Sequence, residues 1–91
     1  MSRSNTVFIG RKPVLNYVLA CMTLFKSGQD EVIVKARGRS ISTAVDVVEV
    51  TRNRFMPDIK IGDITIGTEA LTSPDRNQPT NVSTIEIRLH R

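Results

Sequence analysis

The sequence predicts an α/β chain of the two-layer α+β kind: a single β-α-β-α-β-β domain over residues 1–91, with two helices on a four-stranded mixed sheet and an extended C-terminal β-hairpin. Three observations predict it. Apolar, β-branched runs of strand character occupy 6–10, 31–36, 59–72 and 82–89. Apolar residues at helical spacing separate the first three runs, over 14–25 and 41–55. The last two runs are joined by TSPDRNQPTN (72–81), polar and proline-containing, which reads as a flexible hairpin loop.

Thr6 to Gly10 (TVFIG) is the first strand, closed by its glycine. Arg11 and Lys12 lead to Pro13, a residue tolerated at the first position of a helix because its missing N–H would have no partner there. Val14, Val18, Cys21, Met22 and Phe25 then recur at helical spacing until Gly28 supplies the stop. Asn16, Thr23 and Lys26 give helix one only a narrow polar strip, while Tyr17 and Leu24 widen its apolar side. A helix that apolar is expected to be heavily buried or to touch another subunit.

Glu31 to Ala36 (EVIVKA) is the second strand, with a β-branched run, Val32-Ile33-Val34, suited to burial on both faces. Ser40 or Ser42 offers an N-cap for helix two, which runs to about Met56 and ends before Pro57. Ile41, Ala44, Val45, Val48 and Phe55 share one face of it, and Val47 and Val50 fall off that face, predicting a second contact surface. In the third strand Ile59 and Ile61 are odd-numbered but Ile64 and Ile66 even, so a bulge or kink is expected across Gly62-Asp63. Ile85, Ile87 and Leu89 alternate with Glu86, Arg88 and His90 in the last strand.

The 13 Lys and Arg against 9 Asp and Glu leave a net charge of +4, modestly suggestive of a polyanionic partner. The surplus is uneven: residues 1–39 hold seven basic and two acidic residues, and residues 40–91 six basic and seven acidic. A chain of this size buries only about 60–65% of its unfolded surface, so oligomerisation is a natural way to add stability. A lone cysteine, Cys21, excludes an intrachain disulfide and fits a reducing compartment. No signal-like or membrane-length apolar run is visible, so a soluble, cytoplasmic protein is expected.

Enzyme readings lack parts. His90 is penultimate, where a general base would be poorly held, and Cys21 lies on the apolar stripe of helix one. Asp46 and Glu49 sit three residues apart on helix two, an arrangement that reads as a solvated face. No Cys/His cluster suits zinc, and neither GxxxxGK[ST] nor GxGxxG occurs, so no metal or cofactor is expected.

Topology favours a binding reading instead. A β-α-β unit makes the first two strands parallel, so the loops leaving them lie at one edge of the sheet. One loop carries Arg11-Lys12 and the other Arg37-Gly38-Arg39, and both lead into helix N-termini, whose unpaired N–H groups and dipoles favour anions. Gly38 would let backbone approach a phosphate without a Cβ in the way. Arg52, Asn53 and Arg54 near the end of helix two either extend this patch or complement the helix C-terminus, and Arg76 and Asn77 at the hairpin tip could reach a groove. Lys26 and Lys60 read as solubilising, and Lys35 as pointing outward from its strand. With Phe8, Tyr17, Phe25 and Phe55 as the only aromatics, no interleaved basic-aromatic strand resembles a stacking platform, so duplex backbone recognition fits better than single-strand binding.

The stretches IGRKPVLNYVLA (9–20), VIVKARGRSISTAVD (32–46), TRNRFMPD (51–58) and NVSTIEI (81–87), in this order, resemble the Alba family of archaeal chromatin proteins along essentially the whole chain. The resemblance implies a homodimer that binds double-stranded DNA, and often RNA, with little sequence preference, coating or bridging DNA in association with the chromosome. It implies body contacts at Arg11, Lys12, Arg37 and Arg39, and arm contacts at Arg76 and Asn77. The full candidate set is Arg11, Lys12, Asn16, Arg37, Gly38, Arg39, Arg52, Arg54, Arg76 and Asn77. Phe55 matches a position implicated in contacts between neighbouring dimers, with a core role at a helix end as the alternative. The family is named for acetylation of a lysine in the first loop, commonly within a GKKP-like stretch. Here the stretch is Gly10-Arg11-Lys12-Pro13, so Lys12 is the candidate acetylation site, with an acetylase and a deacetylase as implied partners. The alternative function is an RNA-binding module acting on structured RNA.

Overall fold

The computed structural model describes residues 5–72 and 80–91. The element order is β1 (Thr6–Phe8), α1 (Val14–Lys26), β2 (Glu31–Arg37), α2 (Ser40–Val50), a π-helical turn (Thr51–Phe55), β3 (Lys60–Leu71) and β4 (Thr80–His90). The four strands form one mixed sheet in the order β1-β2-β4-β3. β1 and β2 are parallel, and β4 runs antiparallel to both β2 and β3. No helix among the described residues is long and apolar enough to cross a membrane.

Both helices cover the same face of the sheet. Alternation picks that face out: Val7, Val32, Val34, Ala36, Ile87 and Leu89 are buried beneath Val18, Cys21 and Phe25 of α1 and Ala44, Val47 and Val48 of α2. The expected burial of β2 on both faces is corrected by this arrangement. Ile33 and Lys35 point to the helix-free side and are only half-buried, because no second layer covers them.

α1 ends in a Schellman motif: Gly28 takes φ +106, its N–H donates to Phe25 O at 3.1 Å, and Gln29 N–H donates to Leu24 O at 3.2 Å. Only glycine holds that left-handed position without a steric cost, so the stop at Gly28 has a backbone cause. Beyond it the Arg91 guanidinium donates to Phe25 O at 2.5 Å and lies 5.5 Å from the Phe25 ring centroid. A cation at a helix C-terminus also complements the dipole.

Helix two departs from expectation twice. Neither Ser40 nor Ser42 caps it; Arg39 occupies the cap position in helical conformation, with no side-chain hydrogen bond. Its buried face is also rotated. Val47 is fully buried in the core, whereas Val45 is exposed, so the inward stripe is Ala44, Val47, Val48 and Thr51. The helix then widens, with Met56 N–H donating to Thr51 O at 2.7 Å, a five-residue span. The buried Thr51 hydroxyl donates back to Val47 O at 2.7 Å, which satisfies it inside the core. In β3 the pairing register shifts between Ile61 and Ile64, as the phase change of the isoleucines indicated.

Candidate nucleic-acid interface

β1 and β2 are direct neighbours, with Phe8 opposite Lys35 and Ile9 N–H donating to Lys35 O at 2.9 Å. The segments that leave their carboxyl ends therefore start one strand spacing apart, about 5 Å. Arg11 and Lys12 are exposed on the first, and Arg37, Gly38 and Arg39 on the second. Each segment feeds a helix whose N-terminus has no side-chain cap and no acidic residue in its first turn. Pro13 and Arg39 hold the two cap positions, so no side-chain oxygen caps either end and no first-turn carboxylate repels an anion; two positive helix ends stand beside four cationic side chains. Asn16, in the first turn of α1, is exposed at the same end.

The first loop is not slack. The hydroxyl of Tyr17 accepts from Gly10 N–H at 2.9 Å and from Lys12 N–H at 3.0 Å. The ring is buried against the core while its oxygen reaches out to hold the loop that carries Arg11 and Lys12. Sequence reasoning treated Tyr17 as apolar surface and missed this role. The available signal was a phenol on an apolar face, since a buried O–H must find a partner.

In the second loop Gly38 takes φ +58, and a Cβ there would meet nothing within 4 Å. Its N–H is engaged by Ser83 O of β4 at 2.8 Å, so this glycine fastens the turn to the sheet. The Arg37 side chain leaves the strand end on the helix-free side and pairs with Glu69 of β3 at 2.6 Å. Among the described residues no carboxylate lies within ion-pair distance of Arg11, Lys12 or Arg39. Glu69 is a second participant the sequence did not reveal, because the contact spans 32 positions.

The remaining candidates lie elsewhere. Arg52 and Arg54 sit in the π-helical turn, roughly 20 Å along the helix axis from Arg39 at 1.5 Å per residue, and so at the opposite end of α2. Arg52 is paired with Glu49 at 2.7 Å, while Arg54 is exposed. Phe55 is 46% exposed, so its ring is not part of the core. Arg76 and Asn77 fall outside the described residues. Lys35 is paired with Glu86 at 3.4 Å.

The catalytic candidates are placed as follows. Cys21 is fully buried, and burial pushes its thiol up to about 11, far from a nucleophile's range. His90 is held in the sheet opposite both Glu31 and Lys60, which corrects the expectation of a frayed end; its Nδ1 lies 3.0 Å from Arg91 O.

Residues 5–68 match the family model named Alba. The chain belongs to the Alba family. It is 53% identical over its whole length to a DNA/RNA-binding protein Alba of Methanocella arvoryzae, covering 94% of that relative. It is 58% identical over 85 residues to DNA/RNA-binding protein Alba 1 of Archaeoglobus fulgidus, covering 93% of each chain. Among solved structures, Alba from Thermoplasma volcanium superposes with a TM-score of 0.88 at 48% identity, over 94% of this chain and 99% of that one. ALBA1 from Trypanosoma brucei superposes with a TM-score of 0.74 at 28% identity, over 99% of this chain and 72% of that one. The β-α-β-α-β-β order and the basic sheet edge thus stand in an Alba fold.

Proposed function

We propose that this Alba-family chain is a non-enzymatic DNA/RNA-binding protein whose main mode is largely sequence-independent recognition of duplex backbone. The observation that carries the reading is the meeting, on adjacent parallel strands, of two uncapped helix N-termini with Arg11, Lys12, Arg37 and Arg39. Such an edge offers charge and N–H donors to phosphate, contacts that position a duplex and carry no sequence information. The names of its relatives, which bind DNA or RNA, support the same class.

The finer reading is a homodimer that coats or bridges chromosomal DNA. Exposed Ile64 and Ile66 (54% and 78%) on the helix-side face of β3 support self-association, since apolar side chains of that size favour cover. Exposed Phe55 is the proposed contact between neighbouring dimers, Arg76 and Asn77 are proposed arm contacts, and Lys12 is the proposed acetylation site. The test is titration of duplex DNA at several salt concentrations. With about 4–6 phosphates neutralised per dimer, log K against log salt should slope at roughly −4 to −5. Arg37→Ala with Arg39→Ala should weaken all duplexes about equally, and Lys12→Gln should lower affinity and flatten the slope. A nearly flat salt response of the parent protein would sink the mechanism. Competition between duplex DNA and structured RNA at matched salt separates the DNA reading from the RNA alternative.

A further inference from the structure

The helix-free face of the sheet carries a groove of about 620 Å³ beside the basic edge, within the size range of small-ligand sites. Phe8 lies in it, 71% exposed, although its neighbours Val7 and Ile9 are both buried in the core. In register Phe8 stands opposite Lys35, and the next residue on that face of β2 is Arg37. Across the next ladder Lys35 faces Glu86 and Arg37 faces Thr84. The side chains next to the ring on this face are therefore ionic and hydroxylic, while Ile9, Ala36, Ile66 and Ile85 also line the groove. A second copy of the chain is a poor occupant for such a surface, because stable interfaces concentrate apolar area at their centre and exclude charge from it.

A nucleotide fits these parts. An unpaired base has a π-face to lay on Phe8 and amino groups for the Glu86 carboxylate and Thr84 hydroxyl to accept from. Its phosphate would reach Arg37, which belongs both to this groove and to the basic edge, so the two surfaces are continuous. Exposed aromatics on open sheet faces with basic neighbours are a recurrent way to hold single strands. We propose that this groove seats an unpaired nucleobase of single-stranded RNA or DNA, stacked on Phe8. The inference rests on the nucleic-acid reading of the edge but adds a ligand, an unpaired base, that duplex recognition does not require.

The test uses the full chain with short oligocytidylate RNA, the matching DNA oligomer, and a DNA duplex. Phe8→Ala should weaken single-strand binding roughly 5- to 150-fold, the range of one lost base–aromatic stack, and leave duplex affinity unchanged. Phe8→Trp should retain single-strand affinity and, since the chain has no tryptophan, places one fluorophore in the groove. Its emission should be quenched by the oligocytidylates and unaffected by the duplex. RNA binding tighter than DNA would assign the natural source to RNA, and the reverse to DNA. Equal single-strand affinity of Phe8→Ala and parent overturns the groove while leaving the edge intact, as does a Phe8→Trp emission that follows protein concentration instead of oligomer. A parent protein that binds neither duplex nor single strand removes both readings together.

Discussion

Tyr17→Phe is the most informative single-atom change available. It removes one hydroxyl oxygen and leaves the ring, which packs in the core, in place. Two backbone donors, Gly10 N–H and Lys12 N–H, then lose their acceptor. The loop is exposed on its outer side, so water can partly replace the lost oxygen, and the cost falls at the low end of that for an unsatisfied group, about 1–2 kcal/mol in total. For a domain of this size each kcal/mol corresponds to about 4–8 °C in Tm. The functional consequence is separate: freeing one residue's worth of backbone in the Arg11-Lys12 loop must be reversed on binding, at about 1 kcal/mol or roughly fivefold in affinity. Because no charge changes, the slope of log K against log salt should stay as it was. Thermal unfolding and duplex titration at several salt concentrations read all these quantities. Unchanged Tm together with unchanged affinity would refute the bracing role, and a flattened salt slope would show that the loop's cations had left the interface.

Glu69→Gln should strengthen duplex binding at low salt by about 1.5- to 5-fold, since an exposed pair of this kind holds Arg37 by only about 0.2–1 kcal/mol; weaker binding would mean that Glu69 positions Arg37 instead of competing for it. The Cys21 thiol ordinarily titrates at 9.0 and is pushed up to about 11 by burial, so the folded state holds its proton through a window in which the unfolded chain has lost it. This contribution is complete below pH 9.0 and is lost as pH rises towards 11, about 2–3 kcal/mol in all; a Cys21→Ala chain with the same alkaline stability slope as the parent would contradict it. Phe55→Ala should change stability by no more than about 0.5 kcal/mol, as for most surface substitutions, yet reduce cooperative binding along DNA; unaltered cooperativity would remove Phe55 from the contact between dimers.

The parts of the fold that were legible in the sequence are those where one local rule operates without competition. The strand runs, the Gly28 stop and the parity change from Ile61 to Ile64 each follow from backbone geometry or from the period of a pleat. Helix two was harder because its inward face depends on how it lies across β2, and because it ends in a widened turn in which Met56 N–H reaches back to Thr51 O. Five apolar positions fitted a stripe centred on Ala44 and Val48, but packing against the sheet chose Val47 over Val45. The serines offered caps, yet a turn fastened by Gly38 N–H to Ser83 O set Arg39 at the helix start instead. The basic edge could be assembled from topology alone, because parallel strands put successive loops together. Its braces could not, since Tyr17 Oη and Glu69 act through contacts that periodicity does not encode.

Arg37 ties these observations into one mechanism. Its backbone ends β2 at the edge where both helix N-termini open, while its side chain crosses to the helix-free face and meets Glu69. A guanidinium held by one exposed carboxylate is preorganised but not sequestered: the pair constrains its rotamers, and phosphate can displace the carboxylate at little cost. Duplex on the edge would draw Arg37 away from Glu69, and so would a nucleotide phosphate in the groove beside Phe8. One arginine cannot serve both phosphates at full strength. Duplex and single strand should therefore compete for the protein even where their other contacts do not overlap, and Arg37→Ala should weaken that competition more than Arg39→Ala does. Mixed titrations of duplex and oligocytidylate against the two variants would measure the difference, and equal competition in both would show that the surfaces do not share Arg37.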